Sequence, residues 1–345
     1  MRVAVIGTGL IGGSVGLAAR RRLGAEVRGV GPEAERAVEH GAADVACASI
    51  AEALDGAEIA FVATPLGMLA RTVAEVLAAA GPDCVVTDVG STKTAIVAAA
   101  DDDPRFVGGH PLAGGEAAGV EHARADLFEG AVWYLTPGPS TTGVLFERLH
   151  RALVALGARP AAIDPDVHDR LMAAVSHLPH VIANVLVAQA FRAVDDGETL
   201  PATGPGFRDA TRIAGANPPL WADILIANRE ALVAQIDEAV ARLGEVRAAL
   251  AAGDRDTVLR LQAAAHEERR ALLETHLAGG PERELRVAVP NRPGVIAEIA
   301  LKLGRAGINI SDMALAPSPD DTQGEVTLWV AEADAERASA MLADR

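Results

Sequence analysis

The chain has 345 residues, half of them hydrophobic, and a formal net charge of −16; the length suits two or three domains, and the charge excludes nucleic acid or an anionic membrane as its main partner. Its two cysteines, Cys47 and Cys84, make no disulfide framework and point to a reducing, cytoplasmic setting. The N-terminus runs straight into an apolar strand, so no secretory leader is expected, and no uncharged apolar run near the ~20 residues of a membrane-crossing helix is evident.

In chain order, strands are expected at 3–6, 26–30, 58–63, 84–88, 105–109 and 132–136, with helices at 11–23 and 141–156. This alternation is the pattern of a parallel sheet wrapped by helices. At Asp164-Pro165-Asp166 the character changes: Asp164 reads as an N-cap and Pro165 as the first helical residue. From there to about His276 the periodicity is helical, broken by a Pro/Gly loop at 200–206, and Pro179 should kink its helix near Val175. A linker at 278–281 precedes strands at 284–289, 308–315 and 325–330 and helices at 293–305 and 333–342, a β-α-β-β-α run. The expected domains are therefore an α/β domain at 1–163, an all-α domain at 164–279 and a small α+β domain at 282–345.

The loop Gly7-Thr8-Gly9-Leu10-Ile11-Gly12 follows the first strand and opens the first helix. Gly7, Gly9 and Gly12 permit a tight turn and close approach to a pyrophosphate, and the helix N-terminus, with Leu10 and Ile11 in its first turn, supplies amide donors. Thr64 and Pro65, past the third long strand, lie on the same expected cofactor edge. An acid for the ribose hydroxyls belongs at the end of the second strand, where Gly31 stands; Glu33 is the nearest substitute. No Arg directly follows to take a 2′-phosphate, Arg36 being the nearest, so NAD is favoured with NADP open.

Ser91 follows the fourth long strand, at the edge where such sheets place ligands, and suits either a bond to a catalytic group or a cap for the next helix. His110, in the Gly-rich stretch 108–115, is read as a loop residue: either a base that takes an alcohol proton or a histidine satisfied by backbone. His177 and His180 share a helix face; no third ligand accompanies them, so no metal is expected, and ligand contact or a helix–helix bond is the reading. Arg208 and Arg212 also share a face, suited to a substrate carboxylate or to surface pairing with Asp209 and Glu198.

As a set, Gly7 to Ser14, Asp88 to Lys93, His110-Pro111-Leu112-Ala113-Gly114, Ser176 to His180 and Phe207 to Ala214 resemble the prephenate dehydrogenase family, over roughly the first 280 residues. The segments 289–295 and 307–310 resemble an ACT domain, an amino-acid-sensing module of ferredoxin-like fold. One departure is that ACT domains end in a further strand, which here has only 342–345 to begin it. The resemblance implies a Rossmann domain, an all-α substrate and dimerisation domain, and an ACT-like domain. It implies oxidative decarboxylation of prephenate to 4-hydroxyphenylpyruvate with NAD(P)+ in tyrosine biosynthesis. In that reading His110 accepts the ring-hydroxyl proton, Ser91 orients His110, Arg212 holds the ring carboxylate, and His177 or His180 lines the pocket. A homodimer follows, as does tyrosine sensing through Asn291, Gly294 and Asn309. Arogenate dehydrogenation, a non-decarboxylating hydroxyacid dehydrogenase and a non-enzymatic tyrosine-responsive protein are the rivals.

Overall fold

Apolar runs at the expected places form most of one eight-stranded sheet in the computed structural model, which describes residues 1–114, 118–193, 203–275, 282–290, 299, 302–303, 306, 308, 310–317 and 323–343. The strands are β1 (Arg2–Ile6), β2 (Glu26–Val30), β3 (Val45–Cys47), β4 (Ile59–Val62), β5 (Val85–Asp88), β6 (Phe106–Pro111), β7 (Val132–Pro137) and β8 (Arg159–Ala162). Their order is β3-β2-β1-β4-β5-β6-β7-β8, and only β6 and β7 pair antiparallel. β4 and β5 are buried along their whole length, which is why they read as continuous apolar runs. The short strands β3 and β8 escape sequence reading because three or four residues carry no period. One face of the sheet packs Phe61, Phe128, Trp133 and Leu149, the other Leu69, Val73, Val76 and Phe106.

From β3 the chain crosses back past β1 to add β4 on its other side. This reversal opens a crevice at the carboxyl ends of β1 and β4, the place where open parallel sheets bind ligands. Helix α1 (Leu10–Ala18), continued by a π-turn at Ala19–Leu23, starts from it. The helices α2 (Ala34–Glu39), α3 (Ile50–Leu54), α4 (Leu66–Ala79), α5 (Thr94–Ala99) and α6 (Gly143–Ala155) complete the wrapping.

The helical region begins as expected. Asp164 accepts the N–H groups of Asp166 and Val167 and Pro165 opens α7 (Pro165–Met172). Pro179 lacks the N–H that would close on Val175, and the helix accommodates this with a π-turn at Ala173–His177 before α8 (Leu178–Arg192). Next come α9 (Pro205–Thr211), a tight turn at Arg212–Gly215, α10 (Pro218–Ala227) and α11 (Arg229–Ala252). One expectation is overturned: Pro165–Arg192 is, by length and composition, long and apolar enough to cross a membrane. Ser176, His177, His180 and Asn184 interrupt that run without adding charge, so it does not stand out as continuous. Met172, Ala173, His177 and Ala183 are buried in the protein, while Val185, Leu186, Val187 and Phe191 are exposed.

The described residues fall into two compact units, Met1–Ala239 and Val240–Arg345. The second holds the end of α11, α12 (Arg255–Thr275), and a three-stranded antiparallel sheet of β9 (Glu282–Pro290), β10 (Ile310–Pro317) and β11 (Gln323–Ala331), ordered β10-β11-β9. β11 alternates exposed and buried residues, the mark of a sheet covered on one face. Its buried side meets Ala335, Ala338 and Leu342 of α13 (Glu332–Ala343). Leu342 is thus helical and does not begin a last strand. Asn291, Gly294 and Asn309 lie outside the described residues, as does most of the expected helix 293–305.

Candidate active site

At the crevice the chain leaves β1 through Gly7, whose φ of +95° only glycine adopts without strain. A Cβ on Gly12 would lie 1.9 Å from the Gly7 carbonyl oxygen, whereas one on Gly9 would meet nothing within 4 Å. The loop is therefore tight beneath and open above. No side chain caps α1, which begins at Leu10 and Ile11, so its first amides are free to meet an anion. Thr8 is 3% exposed, and its Oγ1 and that of Thr64, next to Pro65 past β4, are buried without a partner. Orphaned hydroxyls beside uncapped amides fit a pyrophosphate. Glu33 is differently placed from the expectation. Its carboxylate accepts the Val120 N–H at 3.0 Å and lies 3.7 Å from Arg36, which also pairs with Glu121.

His110 lies on β6, paired with Tyr134 of β7, and not on a loop. The glycines before it serve close strand packing: a Cβ would sit 2.2 Å from Thr136 Oγ1 at Gly108 and 2.5 Å from the Asp88 carbonyl at Gly109. His110 Nδ1 lies 2.8 Å from His168 Nε2, and His168 Nδ1 lies 2.8 Å from Asp169 Oδ1. The Asp169 carboxylate also accepts the N–H groups of Lys93 at 2.7 Å and Thr94 at 2.9 Å, capping α5 from α7. Burial alone would raise this carboxyl, but bonds from His168, Thr94 and Lys93 hold it below the usual carboxylate range.

Those facts assign the protons. A carboxylate only accepts, so His168 Nδ1 carries hydrogen and, in the uncharged ring, Nε2 is bare. His110 Nδ1 must then donate, which leaves His110 Nε2 with a lone pair. Burial, then the charge of Lys93, then His168 and His177, push the His110 pKa well below its ordinary value. Part of the ring stays accessible; the site is walled in, not sealed. The outcome is an imidazole uncharged at neutral pH with its lone pair open to a ligand.

A second line of groups continues from the relay. Asn228 Nδ2 donates to the Asp169 carbonyl at 2.7 Å and lies 3.0 Å from His177 Nδ1, leaving hydrogen on His177 Nε2. Burial pushes the His177 pKa down to about 4. Trp221 meets the His177 ring edge-on at 6.1 Å and stacks on His180 at 3.2 Å between centroids. Burial and then the Arg212 charge lower the His180 pKa. Arg212 is exposed and has no carboxylate partner among the described residues.

Two expected residues stand apart from this line. Ser91 is half-buried and its side chain makes no hydrogen bond among the described residues. It makes no bond to His110, whose Nδ1 is taken by His168, and the first amides of α5 are met by Asp169 instead. Arg208 is exposed on α9, joins no member of this line and makes no ion pair among the described residues, while Glu198 lies outside them. His168, Asp169, Asn228 and Trp221 escape sequence reading because each acts across space. The one local signal is His168-Asp169 in the turn after an N-cap, which ordinary helices share.

A dinucleotide cradle beside a relay-held histidine defines an NAD-dependent oxidoreductase. Residues 15–161 match the nucleotide-binding domain of prephenate dehydrogenase, 164–263 its dimerisation domain and 283–345 the ACT domain. The chain is 33% identical to prephenate dehydrogenase of Bacillus subtilis, over 93% of this chain and 90% of that protein. It is similar in structure to Synechocystis arogenate dehydrogenase (TM-score 0.70, 32% identity, 78% of this chain and 99% of that one). It is also similar to Aquifex aeolicus prephenate dehydrogenase in complex with hydroxyphenyl propionate and NAD+ (TM-score 0.71, 29% identity, 78% and 97%). The chain belongs to the prephenate dehydrogenase family.

Proposed function

We propose that the chain converts prephenate to 4-hydroxyphenylpyruvate and carbon dioxide with reduction of NAD+, a step of tyrosine biosynthesis in the cytoplasm. The observation that carries this is the lone pair on His110 Nε2, set by the Asp169–His168 relay. Gly7, Gly9, Gly12, Thr8, Thr64 and the first turn of α1 hold the cofactor, which when bound supplies the hydride acceptor. His110 takes the ring-hydroxyl proton on Nε2, and the charge it gains is spread toward His168 and Asp169. As carbon dioxide leaves, the ring becomes aromatic and the same proton returns to its oxygen. The aromatic product makes the reaction downhill, so the protein supplies positioning and one base, worth ~10²–10⁴-fold.

Arg212 holds the ring carboxylate, with His180 and the Nε2–H of His177 lining the pocket around Trp221. Arg212→Ala is expected to raise KM for prephenate about tenfold or more, the worth of a charge-assisted bond, with kcat little changed. An unchanged KM would remove Arg212 from this role. Near-ultraviolet absorbance of reduced nicotinamide, with prephenate and arogenate each crossed with NAD+ and NADP+, tests the function. Release of one carbon dioxide per reduced cofactor separates it from a non-decarboxylating dehydrogenase. Arogenate as the better substrate is the second reading, favoured by the similarity to the Synechocystis enzyme.

The exposed Val185, Leu186, Val187, Phe191 and Ile226, on helices within the dimerisation-domain match, suit a homodimer. Tyrosine acts at the ACT domain through Asn291, Gly294 and Asn309. The Asn291→Ala/Asn309→Ala variant is expected to lose tyrosine inhibition while keeping its activity; equal sensitivity would move inhibition to the active site.

A further inference from the structure

Lys93 is one of only two lysines in an arginine-rich chain, and it is fully buried. Its ammonium pairs with the equally buried Asp88. Replacing such a pair with apolar groups is often neutral or stabilising, so the pair itself is weak evidence of a stabilising role.

Its bonds show another use. Lys93 Nζ donates to the Gly109 carbonyl at 2.6 Å, and Asp88 Oδ1 accepts the Gly109 N–H at 3.0 Å. Both polar groups of Gly109, the residue before His110, are thus held by one ion pair. Asp88 Oδ2 also accepts the Gly90 N–H at 2.8 Å. The Lys93 backbone N–H meanwhile holds Asp169 at 2.7 Å. The path from the Lys93 ammonium through Gly109, His110, His168 and Asp169 returns to the Lys93 backbone, a closed circuit fixed at both ends by one residue. A compact ammonium suits the inner corner of this circuit; the wide fork of an arginine does not.

We infer that Lys93 and Asp88 are positioning residues for the base: their buried ion pair holds both polar groups of Gly109 and so fixes His110 against its His168–Asp169 relay. The inference rests on His110 being the base. The groups facing His110 are Asp88 and Lys93 from the end of β5 and the turn after it, His168 and Asp169 from α7, His177 from the π-turn, and Tyr134, its partner on β7. Lys93 disfavours a proton on His110 and Asp169 favours one. Asp88 carries the opposite charge at the same corner, so its loss is expected to act in the opposite sense to loss of Lys93.

The test is kcat and kcat/KM against pH for Lys93→Met, Asp88→Asn, the double variant and Lys93→Arg, in the full chain. Each is expected to lose roughly ten- to a hundredfold in kcat, as misplacement of a catalytic group does, with KM little changed. The acidic limb of kcat/KM should move up by about one pH unit in Lys93→Met and down in Asp88→Asn. In the double variant and in Lys93→Arg it should stay near its original place. Shifts of the same sign in both single variants, or none, overturn the inference. Should Lys93→Met not fold, the neutral double variant decides, because a folded double variant with normal kcat also overturns it. His110→Ala with near-normal kcat refutes the base itself; an inactive His110→Ala beside normal Lys93 and Asp88 variants refutes the inference alone.

Discussion

His110→Ala is expected to lower kcat by at least about 10²-fold, the low end for a positioned general base, with the fold intact. Among the described residues the side chain has a single hydrogen-bond partner, the His168 ring, and part of it is accessible. The backbone of β6 stays fixed by its pairing with β7 and by the Asp88 and Lys93 bonds to Gly109. Truncation thus removes the proposed proton acceptor and leaves the cofactor loop and Arg212 where they are, so KM should change little. Steady-state kinetics with circular dichroism as a fold control checks this. A variant with near-original kcat would take the base role from His110.

Asp169→Asn should cost about 10²-fold or more in kcat, and stability as well. The carboxylate serves three donors at once: His168, Lys93 and Thr94. An amide has one oxygen. With its NH₂ toward His168, the ring must accept at Nδ1 and carry hydrogen on Nε2; His110 Nδ1 then accepts, and the proton sits on the Nε2 meant to be bare. That is the wrong-tautomer failure known for buried aspartates behind catalytic histidines. With its oxygen toward His168, the tautomers survive but the charge that stabilises a protonated His110 is gone. Either way one amide of α5 faces a donor, a loss of about 1–3 kcal/mol. The acidic limb of kcat/KM should also fall in pH, because Asp169 raises the His110 proton affinity. Chemical denaturation together with a pH–rate profile reads both effects. A stability loss without a kcat loss would make Asp169 a helix cap and nothing more.

The glycine loop, the strand alternation, the Asp164 cap and the Pro179 disturbance are all legible in the sequence because each is local. Gly7 to Gly12 lie within two turns of chain, and Pro179 acts on the residue four before it. The relay is not legible. Lys93 and Asp169 are 76 positions apart and Asn228 and His177 are 51 apart, so no spacing rule brings them together. His110 shows the intermediate case. Its residue type and place at the ligand edge are readable, but Gly108 and Gly109 resemble a loop, whereas they are there to let β5, β6 and β7 pack closely. At the start of α5, Asp169 and not the nearby Ser91 meets the first amides, a neighbour in space serving where one in sequence was a candidate.

The capping of α5 by Asp169 has a further consequence. His110 belongs to the sheet and the carboxylate that orients its partner His168 to the helical region, and the same carboxylate satisfies the first amides of a sheet-side helix. The two regions are therefore interlocked by the group that tunes the chemistry. Loosening α7 from α5, by a substitution anywhere along that seam, would disconnect the base from its relay while leaving the dinucleotide cradle at Gly7 to Gly12 whole. Damage at the seam should thus uncouple cofactor binding from turnover, giving a protein that still holds its nucleotide but has lost the means to accept a proton.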